Sequence, residues 1–248
     1  MKIKSTIITR REAIITGFAS FGIMALPSCT RPLPPTYGNI LRMGDALTYL
    51  AHRSILPGES LAKEYSYGDI SSFPATGTVN PGDTESKYYS EEYSRLHHDL
   101  FNDWHLSIEG AVNKPGMFTL RELQKLPSKK QITRHTCEEG WTAIAEWIGV
   151  PLGILLQYAG VKSSARFVNC YAYDGYMESI DMLDAFHPQT IISYGMNGHD
   201  LPLAHGAPVR LRVETQIGYK SVKYLKRILV SEKFVDVGDT GWSWYTGI

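Results

Sequence analysis

Ile40, Met43, Leu47, Leu50, Ala51 and Ile55 fall three and four residues apart, the spacing of one helical face, and Pro57-Gly58 ends that run. From Ser66 to Glu92 the pattern dissolves into Gly, Ser, Pro, Asp and Tyr, which predicts a long loop, and loops of that length in compact domains are often functional. Alternation returns from Trp104 to Gly110 as a strand, closed by an Asn113-Lys114-Pro115-Gly116 turn. Thr119 then reads as the N-cap of a short helix through Leu126. The Ala- and Trp-bearing run Thr142 to Ile148 predicts two helical turns stopped by Gly149 and Pro151, with a second helix from Leu152 to Tyr158. Further strands are expected at Arg166 to Tyr171, Ile191 to Tyr194, Val209 to Glu214 and Tyr224 to Val230. A helix capped by Ser179 or Asp181 runs to Phe186 and stops at His187-Pro188. Asp174-Gly175 is a turn, and Asn197-Gly198 is a strong hairpin signal. Short strands interleaved with short helices predict an α+β fold.

The 248 residues are 43% hydrophobic, enough for a real core, and their formal net charge is zero. Without a global positive field, nucleic acid is not an expected partner. Residues 1–29 read as an export leader: Lys2, Lys4, Arg10 and Arg11 precede an apolar stretch from Ala13 to Leu26 that is short for a bilayer span. Thr9-Arg10-Arg11-Glu12-Ala13-Ile14-Ile15 resembles a twin-arginine signal, with Ala13 where Phe is usual. Leu26-Pro27-Ser28-Cys29 resembles a lipoprotein cleavage box, so Cys29 is the expected point of a single-lipid tether outside the cell membrane. The expected organisation is a leader over 1–29, a linker, helix and long loop over 30–100 that pack on the core, and the main domain over 101–248.

The candidate chemistry centres on Arg134-His135-Thr136-Cys137-Glu138-Glu139-Gly140-Trp141. Cys137 is one of only three cysteines, set in polar surroundings. Its basic neighbours would lower the thiol pKa and favour the thiolate, the form that binds metal or attacks a substrate. A free cysteine is also commonly a small buried hydrophobe, so ligand, nucleophile and core remain open on thiol chemistry alone. No zinc-type ligand spacing occurs. Further on, Arg210, Arg212 and Glu214 share one face of a strand, the pattern of a half-buried strand with a solvated charged side. In Gly218-Tyr219-Lys220-Ser221-Val222-Lys223, backbone N–H groups and Lys223 suit a phosphate. His97-His98 reads as polar surface in a loop, and Cys170, in an apolar strand, as core.

These residues resemble the sulfite oxidase-type molybdenum domain. The resemblance rests on Cys-x-Glu-Gly-Trp at Cys137, His-Gly-Ala-Pro-x-Arg-Leu at His205 and Gly-Tyr-Lys-Ser-x-Lys at Gly218, in that order, and on the ending Trp244 to Ile248. It is nearest to small exported bacterial members related to the catalytic subunit of periplasmic methionine sulfoxide reductase. The resemblance implies a mixed α+β fold around molybdenum–molybdopterin, with Cys137 supplying the protein thiolate to the metal. It implies that His205 and Arg210 contact the cofactor, that Ser221, Val222 and Lys223 hold the pterin phosphate, and that Asp174 lies near another contact. His135, Glu138 and Glu139 are the expected groups tuning protons near the metal. Two departures stand out: Glu138 replaces the usual Val, and Thr76 stands where some relatives carry Asn. The Arg-rich substrate cluster of sulfite oxidases and a haem-binding Cys-x-x-Cys-His are not seen. The implied activity is therefore two-electron oxygen-atom transfer, favouring S- or N-oxide reduction over sulfite oxidation. Electrons would come from a membrane quinone protein or a cytochrome, and the chain is expected to be monomeric. The alternative from another class is a non-catalytic exported protein that keeps the fold.

Overall fold

The computed structural model describes residues 60–235 continuously, with Leu47, Leu50, Ala51, Ser54 and Ile55 helical before them. The leader, the linker and the C-terminal Trp244 to Ile248 lie outside the described residues, as do Ile40 and Met43 of the first helical stripe, whose other four members are helical as expected. The fold is α+β, built on two five-stranded sheets.

The first sheet runs β2-β1-β10-β5-β6, with β1 (His105–Gly110), β2 (Gly116–Thr119), β5 (Phe167–Ala172), β6 (Met177–Asp181) and β10 (Leu225–Ser231). Only β1 and β10 are parallel, and both are apolar where they meet the core. The second sheet runs β3-β4-β7-β8, with β9 also pairing β7. Its strands are β3 (Lys129–Thr136), β4 (Thr142–Pro151), β7 (Ile191–Met196), β8 (His199–Asp200) and β9 (Arg210–Arg212). Within residues 60–235 the helices are α1 (Glu91–His98), ahead of the first strand, and α2 (Leu120–Lys125), α3 (Leu152–Ala159) and α4 (Met182–Phe186) between strands. The main core gathers Leu106 and Ile108 of β1, Ile228 and Val230 of β10, Leu155 and Leu156 of α3, and Tyr93 and Leu96 of α1. A smaller cluster of Ala145, Trp147, Ile191, Met196 and Leu201 packs under Phe73.

Local signals carried several elements. Thr119 caps α2 through a reciprocal pair with Glu122, at 3.2 Å and 2.8 Å. Asp181, rather than Ser179, caps α4 by accepting from the Asp184 N–H at 2.8 Å. Asn197 and Gly198 both take positive φ in the β7–β8 hairpin, as a type I′ turn requires.

Three expectations are corrected. Thr142 to Ile148 is not helical: it is the first part of β4, paired along its length with β3 and then with β7. Ala143, Ala145 and Trp147 alternate with Ile144, Glu146 and Ile148, and a central strand covered on both sides is apolar enough to imitate a helix. Gly149 does not stop it. A Cβ there would lie 2.2 Å from the Ile192 carbonyl oxygen, so glycine is what lets β7 approach. His97 and His98 belong to the last turn of α1, not to a loop. The charged side of β9 is not solvated, since Arg210, Arg212 and Glu214 are all buried. The long loop is largely irregular from Ile70 to Ser90, as expected, and it folds over the site described next.

Candidate active site

One cleft of about 520 Å³ brings together residues from five separate stretches of chain. The β3–β4 hairpin forms one wall. Alternation along β3 turns His135 inward and Arg134 outward, where its guanidinium stacks 5.2 Å from the Tyr65 ring. The chain then makes a tight turn in which the Cys137 N–H donates to Trp141 at 2.9 Å and the Gly140 N–H to Cys137 at 3.1 Å. Gly140 has φ +92°, which L side chains rarely adopt. The turn leaves the Cys137 side chain in the cleft, 5% exposed, with Glu138 and Glu139 beside it at the mouth.

The thiol environment differs from the expected one. Arg134 faces away, and the Cys137 thiol donates to the Glu138 carboxylate at 3.6 Å. Burial raises its pKa above the ordinary thiol value; the Glu139 N–H opposes this, and both carboxylates add to it. A protein-only environment thus disfavours the thiolate, and a bound metal would have to supply the compensating charge. The nucleophile reading of Cys137 lacks an activating histidine, because the thiol's hydrogen bond goes to Glu138 and the Nδ1 of His135 accepts from Arg212.

His135 is held by a chain of buried groups. Arg212 Nη1 donates to His135 Nδ1 at 2.6 Å. The same guanidinium grips Glu214 at two points, Nε to Oε1 at 3.1 Å and Nη2 to Oε2 at 2.8 Å, and lies 4.4 Å from the Trp147 ring centre. Gln131 Nε2 donates to Glu214 at 3.0 Å. With Nδ1 accepting, the ring is neutral and its proton sits on Nε2. Burial, reinforced by Arg212, Arg210 and His205, pushes its pKa down to about 2. His135 is therefore a fixed hydrogen-bond donor at neutral pH, not a group that exchanges protons there. Arg212, Glu214 and Trp147 were not singled out by spacing as site residues. The apolar–charged alternation of β9 was the available signal, and it also fits a solvated strand.

The other end of the cleft is basic. Arg210 donates to the His205 and Ser221 carbonyls at 3.0 Å and 2.8 Å, while its Nε is buried without an acceptor among the described residues. Burial, with Arg212 adjacent, lowers its pKa to about 9, which leaves it charged at neutral pH. His205 ends a 3-10 turn, Leu203–His205, before Gly206, where a Cβ would meet the Lys223 Cβ at 2.9 Å. Burial and Arg210 push the His205 pKa down to about 4. Ser221 and Val222 line the cleft, and the Ser221 hydroxyl accepts from the Val213 N–H at 3.3 Å.

Lys223 also lines the cleft, but its ammonium is already engaged. It donates to the carbonyls of Thr76 at 2.8 Å and Ala204 at 3.2 Å, and to that of Thr78. Burial and Arg210 push its pKa down to about 7, against the pull of the Asp174 carboxylate, and hydrogen bonds to carbonyl acceptors likewise favour the charged form. Its first role is thus to pin the long loop over the cleft. Lys220 points the other way, to Glu178 at 3.2 Å and the Ser179 carbonyl at 2.7 Å. Asp174 sits in the β5–β6 turn and lines the cleft, with burial raising its carboxyl pKa. All ten residues named from the sequence therefore face one cleft.

The donor set fits a cofactor that brings its own metal and an anionic group. Among the described residues no three His, Cys, Asp or Glu side chains cluster to cage a bare ion. A single soft thiol is what a metal already held by other ligands needs from the protein. Arg210, with an orphaned buried Nε, supplies cationic character for a phosphate. The volume lies within the range of small-molecule and cofactor sites.

Comparison with known proteins points the same way. Residues 94–236 match the oxidoreductase molybdopterin binding domain. The chain is 34% identical over 177 residues to the putative protein-methionine-sulfoxide reductase subunit YedZ1 of Azospira oryzae, covering 71% of this chain and 66% of that protein. It is 33% identical over 149 residues to the protein-methionine-sulfoxide reductase catalytic subunit MsrP of Ralstonia nicotianae, covering 54% and 44%. The chain thus spans 66% and 44% of the length of these two relatives. The sulfane dehydrogenase SoxCD of Paracoccus pantotrophus superposes with a TM-score of 0.51 and 26% identity, over 53% of this chain and 39% of that one. A family match over more than half the chain, on a fold whose cleft suits the cofactor, makes this protein a member of the oxidoreductase molybdopterin-binding domain family.

Proposed function

We propose that this protein is an exported molybdenum–molybdopterin oxidoreductase that reduces an S- or N-oxide. The observation that carries the reading is the buried Cys137 thiol at one end of a cleft whose other end is cationic. Bound there, the cofactor supplies two-electron oxygen-atom exchange. Cys137 is the proposed protein ligand to the metal. Arg210, Ser221, Val222 and the neighbouring backbone hold the anionic pterin end, and His205 and Asp174 flank it. Lys223 acts there through the loop it fastens and through its charge. His135, which lines the same cleft, offers its Nε2 proton to an acceptor bound there. Trp141 and Phe73, whose ring centres are 5.5 Å apart, exclude water from one side of the mouth.

Electrons reach the site from a membrane quinone protein or a cytochrome. The leader directs the chain to the periplasm, with Cys29 the proposed lipid attachment point. The two methionine-sulfoxide reductase relatives support an S-oxide as the first substrate to try. The test is molybdenum content and reduced-dye oxidation by a panel of sulfoxides and N-oxides, with protein purified from the exported fraction. Wild type should carry the metal and turn over. Cys137→Ser should lose turnover, and most of the metal with it. Full activity without molybdenum, or in Cys137→Ser, overturns the reading, and bound molybdenum with no turnover on any oxide favours the non-catalytic alternative. The mass of the mature N-terminus decides lipidation at Cys29.

A further inference from the structure

The cleft is electrically divided. Arg210 lies at its inner end with Lys223 and His205, and its guanidinium depresses the pKa of both. At the Cys137 end the charged groups acting on the thiol are the Glu138 and Glu139 carboxylates. Both glutamates are exposed at the mouth, and Glu139 is anchored by the Trp141 indole N–H at 3.2 Å. The nearest basic residue in sequence, Arg134, is turned out onto Tyr65 and does not offset them. Beside this turn the rings of Phe73 and Trp141 meet edge to face, and aromatic faces attract cations and not anions. An anionic cofactor end and a substrate would therefore meet opposite fields within one cavity.

We propose that Glu138, with Glu139, is a charge filter on substrate entry, so that the site admits neutral and positively charged oxides and disfavours anions such as sulfite. This rests on the oxide-reductase reading for the identity of the substrate, but the filter itself is a property of the chain. A carboxylate several ångströms from an incoming charge changes the preference between a cation and an anion by several-fold in water. Two carboxylates should give about tenfold or more at low ionic strength, and molar salt should remove most of it.

The test uses the full-length chain produced without cofactor, so that Cys137 is free. It is labelled with two methanethiosulfonates of similar size, one carrying trimethylammonium and the other sulfonate. Site-resolved mass spectrometry follows each cysteine. Taking the ratio of the two rates cancels the thiol's own reactivity, and 2-mercaptoethanol gives the reference ratio. Wild type should prefer the cationic reagent about tenfold over that reference, Glu138→Gln should lose several-fold of the preference, and 1 M salt should abolish it. A ratio equal to the reference, or one unchanged in Glu138→Gln, overturns the proposal.

Cys170, fully buried, reports folding in the same experiment and should stay unlabelled. If it labels, binding of matched cationic and anionic sulfoxides to the holoenzyme, read by tryptophan fluorescence, decides by the same ratio. In the holoenzyme, Glu138→Gln should raise KM for the cationic sulfoxide and lower it for the anionic one. A holoenzyme that reduces no oxide while the labelling ratio holds removes the proposed reaction and leaves the filter. Turnover with no charge preference in either measurement does the reverse.

Discussion

Arg212→Met tests whether the buried chain from Glu214 to His135 is what the site is built on. Arg212 is 1% exposed and makes three close polar contacts, two to Glu214 and one to His135 Nδ1. Methionine keeps much of the stem's volume but removes the charge. Glu214, whose side chain is fully buried, would then keep only the Gln131 amide as a hydrogen-bond donor among the described residues. Stranding one member of a buried ion pair costs roughly 3–5 kcal/mol. Losing the donor to Nδ1 adds about 1 kcal/mol. The double variant Arg212→Met/Glu214→Leu removes both charges, and His135 is then free to carry its proton on either nitrogen. Most of the penalty should return, leaving the double more stable than the single by about 2–4 kcal/mol. At about 2–4 °C per kcal/mol for a chain of this size, the gap in Tm is on the order of 10 °C. Thermal and urea unfolding of the full chain measure it, on cofactor-free and loaded protein separately. A double variant no more stable than Arg212→Met would refute the reasoning, because the cost would then come from lost packing and not from a stranded carboxylate.

Three further outcomes are expected. Because burial and two carboxylates raise the Cys137 pKa, its alkylation by iodoacetamide in cofactor-free protein should still be accelerating above the ordinary thiol value of about 8.5; a plateau below that pH contradicts the assignment. The His205 pKa is depressed to about 4, so between its ordinary value of 6.5 and about 4 the unfolded chain takes up a proton that the folded chain refuses. Stability should fall as pH drops through that window, less steeply in His205→Gln, and parallel urea-midpoint curves for the two proteins would count against it. Gly149→Ala should destabilise by more than about 2 kcal/mol in urea, since its Cβ would overlap the Ile192 carbonyl of the paired strand, and a neutral substitution would show that β7 can shift.

Much of the fold could be read from local rules. The Thr119 cap, the Asp174-Gly175 turn, the Asn197-Gly198 hairpin and the strands around Cys170 and Ile228 depend on neighbours within a few residues. β4 could not be read that way. Its two-sided apolar run is satisfied only by β3 on one side and β7, more than 40 residues later, on the other. The same limit applied to charge: whether Arg212 met water or a partner depended on His135, 77 residues away.

The sequence by itself determined the α+β class and the order of the motifs, and the resemblance those motifs carry pointed to ten of the residues that line the cleft. The tertiary structure decided what those residues can do there. It turned Arg134 away from Cys137 and put Glu138 against the thiol, so the expected thiolate-favouring surroundings became the reverse. It spent the protons of Lys223 on the carbonyls of Thr76, Thr78 and Ala204, and it made His135 a neutral donor through Arg212. The physical reason is that residue type fixes which charges and donors exist, whereas burial and long-range partners fix their protonation, direction and availability.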